Sequence, residues 1–128
     1  MYLVDSSVWI ELFRKNARNP LATIDLEDVV TCLPIIQEVL QGFRDERALQ
    51  IARDSMLALP IVESPITESL IISAVDLYRI ARRQGLTIRS GIDCLIAACA
   101  LRNNLTVIHK DRDFHLLAQV SALEVRSL

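Results

Sequence analysis

Short apolar runs alternate with helical stretches along this chain, and that alternation narrows its possible folds more than any other feature. Tyr2–Val4, Val29–Leu33, Thr106–His109 and Leu123–Val125 read as strands. Ser6 or Ser7 can cap a helix over Val8–Phe13, which the polar stretch Asn16–Pro20 breaks. Pro34 suits a first helical position and opens a helix through about Phe43. Arg44–Leu59 is helical by period and stops at Pro60, while Ile61–Val62 is too short to assign. Thr67 caps a long helix to Gln84 that Gly85 ends, and Ser90 caps Gly91–Arg102. Phe114–Ala118 reads as a short helix. Strands alternating with helices predict an α/β fold around a mainly parallel sheet. In such sheets ligands bind beyond the carboxyl ends of the strands, which selects the residues to inspect.

The chain's 128 residues predict one domain, residues 1–128, able to bury a real core. Its hydrophobic content of 52% is high for that size, which predicts an exposed apolar face that meets a partner. The helix Thr67–Gln84 carries Leu70, Ile71, Ala74, Val75, Leu77, Tyr78 and Ala81, more apolar surface than one small core needs. A homodimer is expected from it. No apolar run approaches the roughly 18–20 residues of a membrane span. The opening residues show neither a basic region nor a signal-peptide core, so a cytoplasmic protein is expected. Cys32, Cys94 and Cys99 are odd in number and lack a C-x-x-C pair, which points to small core residues rather than disulfides or zinc. The net charge of −2 excludes a global basic field. Arg79, Arg82, Arg83 and Arg89 nevertheless crowd one stretch, suited to phosphate, to a partner's carboxylates or to a solvated helix face.

Four carboxylates fall where the sheet rule directs attention. Asp5 follows the first strand and Asp111 follows Thr106–His109, so both belong at one rim. Either alone is an ordinary turn or cap residue. Glu38 lies at the edge of the apolar arc Ile35, Val39, Phe43, Ile36 and Leu40, roughly 60° from Ile35 on a helical wheel. It is either a snorkelling surface residue or a carboxylate needing a partner. Asp93 sits in a helix apolar almost all round, on a face shared with Ile96, Ala97 and Ala100. Such a helix is buried. An aspartate there needs a metal, hydrogen bonds or the helix N-terminus to offset its desolvation. Carboxylates converging at one rim repel each other unless cations join them, and oxygen-only ligands select Mg²⁺ or Mn²⁺ over zinc. Such a site can activate water and stabilise in-line attack on a phosphodiester.

Four segments together resemble a known family. Val4-Asp5-Ser6-Ser7-Val8-Trp9-Ile10 looks like the first motif of PIN-domain nucleases, and Glu38-Val39-Leu40-Gln41-Gly42 looks like the second. Asp93-Cys94-Leu95-Ile96-Ala97-Ala98 is similar to the third, and Val107-Ile108-His109-Lys110-Asp111-Arg112-Asp113-Phe114 to the fourth. Each motif is weak alone, but four in order over nearly the whole chain are specific, and the length resembles the VapC-type toxins of toxin–antitoxin systems. The resemblance implies a three-layer α/β/α fold and Mg²⁺- or Mn²⁺-dependent endoribonuclease activity. It implies Asp5, Glu38, Asp93 and Asp111 as catalytic metal ligands, with Asp113 a second candidate in the last motif. Ser7 would orient Asp5 or a water of the metal. The resemblance also implies an RNA substrate, a homodimer, and a small cognate antitoxin whose tail enters the acidic groove. Arg89, beside Ser90 ahead of the acidic helix, is a candidate contact for RNA phosphate or an antitoxin carboxylate. One departure stands out: relatives often carry threonine or serine where this chain has His109, a residue that points either into the core or to solvent.

Two other readings compete. Lys110 at the end of a late strand invites a receiver-like phosphotransfer module, but that module needs an acidic pair after the first strand, and Asp5 is followed by Ser6-Ser7. A non-catalytic PIN-like module that binds RNA or protein is the alternative, and the presence of all four motif acids argues against it.

Overall fold

The computed structural model describes residues 1–14 and 19–128. Of the polar break expected over Asn16–Pro20, residues 16–18 lie outside the described residues. Five strands, β1 (Tyr2–Val4), β2 (Val29–Cys32), β3 (Ile61–Val62), β4 (Thr106–His109) and β5 (Glu124–Ser127), form one sheet in the order β3-β2-β1-β4-β5. Every pairing is parallel. Among the described residues six α-helices flank it: α1 (Ser6–Phe13), α2 (Leu33–Gln41), α3 (Glu46–Leu57), α4 (Glu68–Arg83), α5 (Gly91–Arg102) and α6 (Arg112–Val120).

The three inner strands are apolar because both of their faces are covered. Leu3, Val4, Val29, Val30, Val107 and Ile108 are all buried. The edges β3 and β5 are short and more exposed, which limits pairing with other chains. Ile61–Val62, too short to assign from sequence, becomes a strand by pairing with Thr31 and Cys32 of β2. The last strand begins at Glu124 rather than Leu123, whose side chain is instead buried.

Helix ends also differ from the sequence reading, each for a local reason. The cap of α1 is Asp5, not Ser6 or Ser7, so α1 starts at Ser6. Asp45 caps α3 through the Ala48 N–H, so α3 starts at Glu46. Asp111 caps α6, which therefore begins at Arg112 and not at Phe114. Thr67 caps α4 as expected, and Gly85 follows the helix with φ of 77°, a left-handed conformation that suits glycine. Ser90 holds the position before α5, but its side chain makes no capping bond.

The core fits the expected pattern. Cys94 and every residue from Ile96 to Ala100 are buried, so α5 is enclosed almost all round by α2, α4 and α6. The cysteines are free and buried. In α4, Leu70, Ala74, Leu77 and Ala81 face inward, whereas Ile71, Ile72, Val75 and Tyr78 are exposed. No helix among the described residues is long and apolar enough to cross a membrane.

The strand order reverses at β1. From there the chain runs outward through β2 and β3, then returns to lay β4 and β5 on the other side. The crevice of such a sheet opens beyond the carboxyl ends of β1 and β4. Asp5 and Asp111 stand at those two ends.

Candidate metal centre

Four of the five carboxylates at this rim are held by one oxygen. Asp5 Oδ2 accepts from the Ser7 N–H at 3.2 Å and from Ser7 Oγ at 2.6 Å, which caps α1. Asp5 Oδ1 is buried and has no partner. Asp111 Oδ1 accepts from the Asp113 N–H at 2.9 Å and so caps α6. Asp113, in the first turn of α6, reaches across to α5, where its Oδ2 accepts from the Arg89 and Ser90 N–H groups at 3.0 Å each. These donors precede the helix, so Asp113 anchors the entry to α5 and does not replace the capping bond that the Ser90 side chain leaves unmade. Asp93, in the first turn of α5, is 4% exposed, and its Oδ2 has no partner. On α2, Glu38 is half-buried and its Oε1 accepts from Ser6 Oγ at 3.2 Å.

The fold therefore gathers residues from four separate motifs. Asp93, Asp111 and Asp113 each offer an oxygen, and these oxygens lie within 4.8 Å of one another. Asp5 and Glu38 flank this trio closely enough for Asp111's charge to act on both. Ser7 bonds Asp5 as expected. Ser6 was expected only as a possible cap, and its bond to Glu38 spans 32 positions, so no local pattern signals it. Arg89 is exposed, and the part of it that meets the site is its backbone N–H. His109 points into the core, 2% exposed, with its ring tilted against Phe114 at 5.4 Å between centroids.

Crowding and burial act together on these acids. Burial, then the charge of Asp111, pushes Asp93 up to about 9. Burial is also the main cause raising Asp5 and Glu38, with neighbouring carboxylates adding to both. Among the described residues no cation pairs with the cluster. Among the described residues the ion pairs are Arg102 with Glu63 and Lys110 with Glu11, and neither involves these acids.

A buried carboxylate cluster without a counter-charge either holds protons or binds a cation. The donors here suit a hard divalent ion. They are all oxygens, and two of them, Asp5 Oδ1 and Asp93 Oδ2, are buried without a hydrogen bond. Cys94 adds no soft ligand, because burial, then the charges of Asp93 and Asp113, pushes its thiol up to about 11. The set thus fits Mg²⁺ or Mn²⁺ better than zinc.

The profile of the PIN domain family matches residues 2–120. The chain belongs to the PIN domain family. Its sequence is 32% identical to ribonuclease VapC11 of Mycobacterium tuberculosis over 136 aligned positions, covering 99% of this chain and 98% of that one. Its fold is similar to VapBC2 of Rickettsia felis, bound to a DNA fragment from their promoter, with a TM-score of 0.79 and 17% identity. That match covers 99% of this chain and 98% of the other. It is also similar to M. tuberculosis VapC20, a sarcin–ricin loop cleaving toxin, with a TM-score of 0.70 and 20% identity over 97% and 99% of the two chains.

Proposed function

We propose that this chain is a metal-dependent endoribonuclease and the toxin of a toxin–antitoxin pair, a single PIN domain acting in the cytoplasm. The observation that carries the reading is the trio Asp93, Asp111 and Asp113, two buried and one half-buried, gathered at the sheet's switch point with no paired cation among the described residues. The ribonuclease named among its relatives supports the substrate class.

Asp5, Glu38, Asp93 and Asp111 are the catalytic ligand set, and Mg²⁺ or Mn²⁺ is the cofactor. When bound, such an ion lowers the pKa of a water and offsets charge developing on a phosphodiester. Ser7 orients Asp5 by holding Oδ2, which leaves Oδ1 to the site. Ser6 orients Glu38 in the same way. Asp113 fixes the start of α5 and hence the place of Asp93, and it offers a carboxylate oxygen to the cluster. Arg89, exposed beside this acidic mouth, contacts RNA phosphate or an antitoxin carboxylate. The exposed apolar side of α4 meets a second copy of the chain.

The test is cleavage of total RNA by purified, antitoxin-free protein with Mn²⁺, Mg²⁺ or EDTA, beside Asp93→Asn. Discrete fragments should form with the metals and disappear with EDTA and with the variant. RNA bound but left uncut by folded protein would replace this reading with that of a binding module.

A further inference from the structure

His109 is a residue of the fourth motif that the proposed chemistry does not use, yet it is among the most enclosed polar side chains. It ends β4 and is 2% exposed. Its Nδ1 accepts from the Asp111 N–H at 3.2 Å, two residues ahead, and so closes the turn between β4 and α6. Accepting at Nδ1 needs the lone pair there, so the ring proton sits on Nε2. Packing against Phe114, itself fully buried in α6, sets the ring plane.

From this turn a chain of hydrogen bonds runs through the acidic centre. The Asp111 N–H is held by His109, Asp111 Oδ1 holds the Asp113 N–H, and Asp113 Oδ2 holds the N–H groups before α5. The remaining polar atom of His109, Nε2, is buried and without a protein partner. Asp5 stands level with it: Val4 pairs in register with Ile108, and the Asp5 N–H donates to the Ile108 carbonyl at 2.9 Å. His109 therefore sits level with Asp5 on the neighbouring strand and two residues ahead of Asp111.

We infer that His109 is a positioning residue for the acidic centre, fixing the Asp111 backbone through Nδ1 and so the direction in which Asp111 presents its free oxygen. The inference rests on the metal-site reading for its consequence but not for its geometry. A serine or threonine hydroxyl at this position could also accept from the turn. An imidazole adds a rigid plane and a second buried nitrogen beside Asp5.

The experiment compares the wild-type protein with His109→Phe, His109→Asn and His109→Gln. Phenylalanine keeps the ring against Phe114 but loses the acceptor. Asparagine carries an oxygen near the place of Nδ1, and glutamine reaches only to the place of Nε2. Two readouts are taken on folded protein. The first, without metal, is nitrogen-15 NMR of the His109 tautomer and hydrogen exchange of the Asp111 amide. The second is Mn²⁺ affinity by calorimetry. The wild type should show Nε2–H and a protected Asp111 amide. Protection should be lost in His109→Phe and kept in His109→Asn, and Mn²⁺ binding should weaken about 10-fold in the first and stay near wild type in the second. Should His109→Phe fail to fold, asparagine retaining both properties while glutamine loses them supports the role equally. An Nδ1–H tautomer, or an Asp111 amide equally protected in all variants, overturns the inference. Wild-type protein that binds no Mn²⁺ would overturn the metal-site reading instead, leaving the NMR result to decide the role of His109.

Discussion

At the scale of single residues, the acids of this site differ in what their second oxygen does, and that difference predicts opposite effects of similar substitutions. Asp93 is buried with an unpartnered oxygen and is pushed up to about 9 from an ordinary value of 3.8. Its contribution to stability is therefore full below the unfolded value and is lost as pH rises through the folded one. Metal-free protein should melt at lower temperature as pH rises from acid towards 9. Asp93→Asn, which cannot ionise, should raise the melting temperature in EDTA by several degrees near neutral pH, with the gain shrinking in acid. Thermal melts across that range check this, and a variant less stable than wild type at every pH would contradict it. The same substitution should abolish metal-dependent cleavage, so stability and activity move in opposite directions.

Between elements, Asp113 behaves differently because both N–H groups ahead of α5 depend on it. Losing hydrogen bonds to a charged acceptor costs about 1.5–3 kcal/mol. Asp113→Ala should therefore destabilise the protein by about that amount even in EDTA, whereas Asp113→Asn, which keeps a carbonyl oxygen, should lose less. Urea denaturation of the metal-free variants measures both. An Asp113→Ala variant as stable as wild type would remove this anchoring role. The same bonds show where the sequence reading of α5 fell short. Ser90 is a good capping residue by type, but its side chain makes no capping bond, and its own N–H is held by a carboxylate 23 positions away that no local window contains.

For the whole molecule, α4 presents two apolar sides. Leu70, Ala74, Leu77 and Ala81 are inside, and Ile71, Ile72, Val75 and Tyr78 remain 42%, 53%, 46% and 38% exposed, which is too much apolar surface to leave to water without cost. If this side joins two copies, light scattering at micromolar concentration should give twice the 14.4 kDa chain mass, and Val75→Glu should return it to a monomer with its fold intact. A wild-type protein that is already monomeric would remove the dimer.

Much of this protein is decided locally. The inner strands are continuous apolar runs because both faces are covered, and so Tyr2–Val4 and Thr106–His109 are legible with their bounds. The parallel alternation then sends Asp5 and Asp111 to one rim, and the all-round apolar character of α5 marks Asp93 as buried. Other features depend on distance in space rather than in sequence. The short strand β3 exists only because β2 supplies its hydrogen-bond partners. The Ser6–Glu38 bond, the reach of Asp113 to α5 and the inward turn of His109 all join or position groups according to packing. Hydrophobic period and capping chemistry act over one or two helical turns, so the sequence by itself determined the elements and nominated the acids. Which carboxylate oxygens are tied down, and which are left without a partner, was decided only when the tertiary fold brought donors and carboxylates within hydrogen-bond reach.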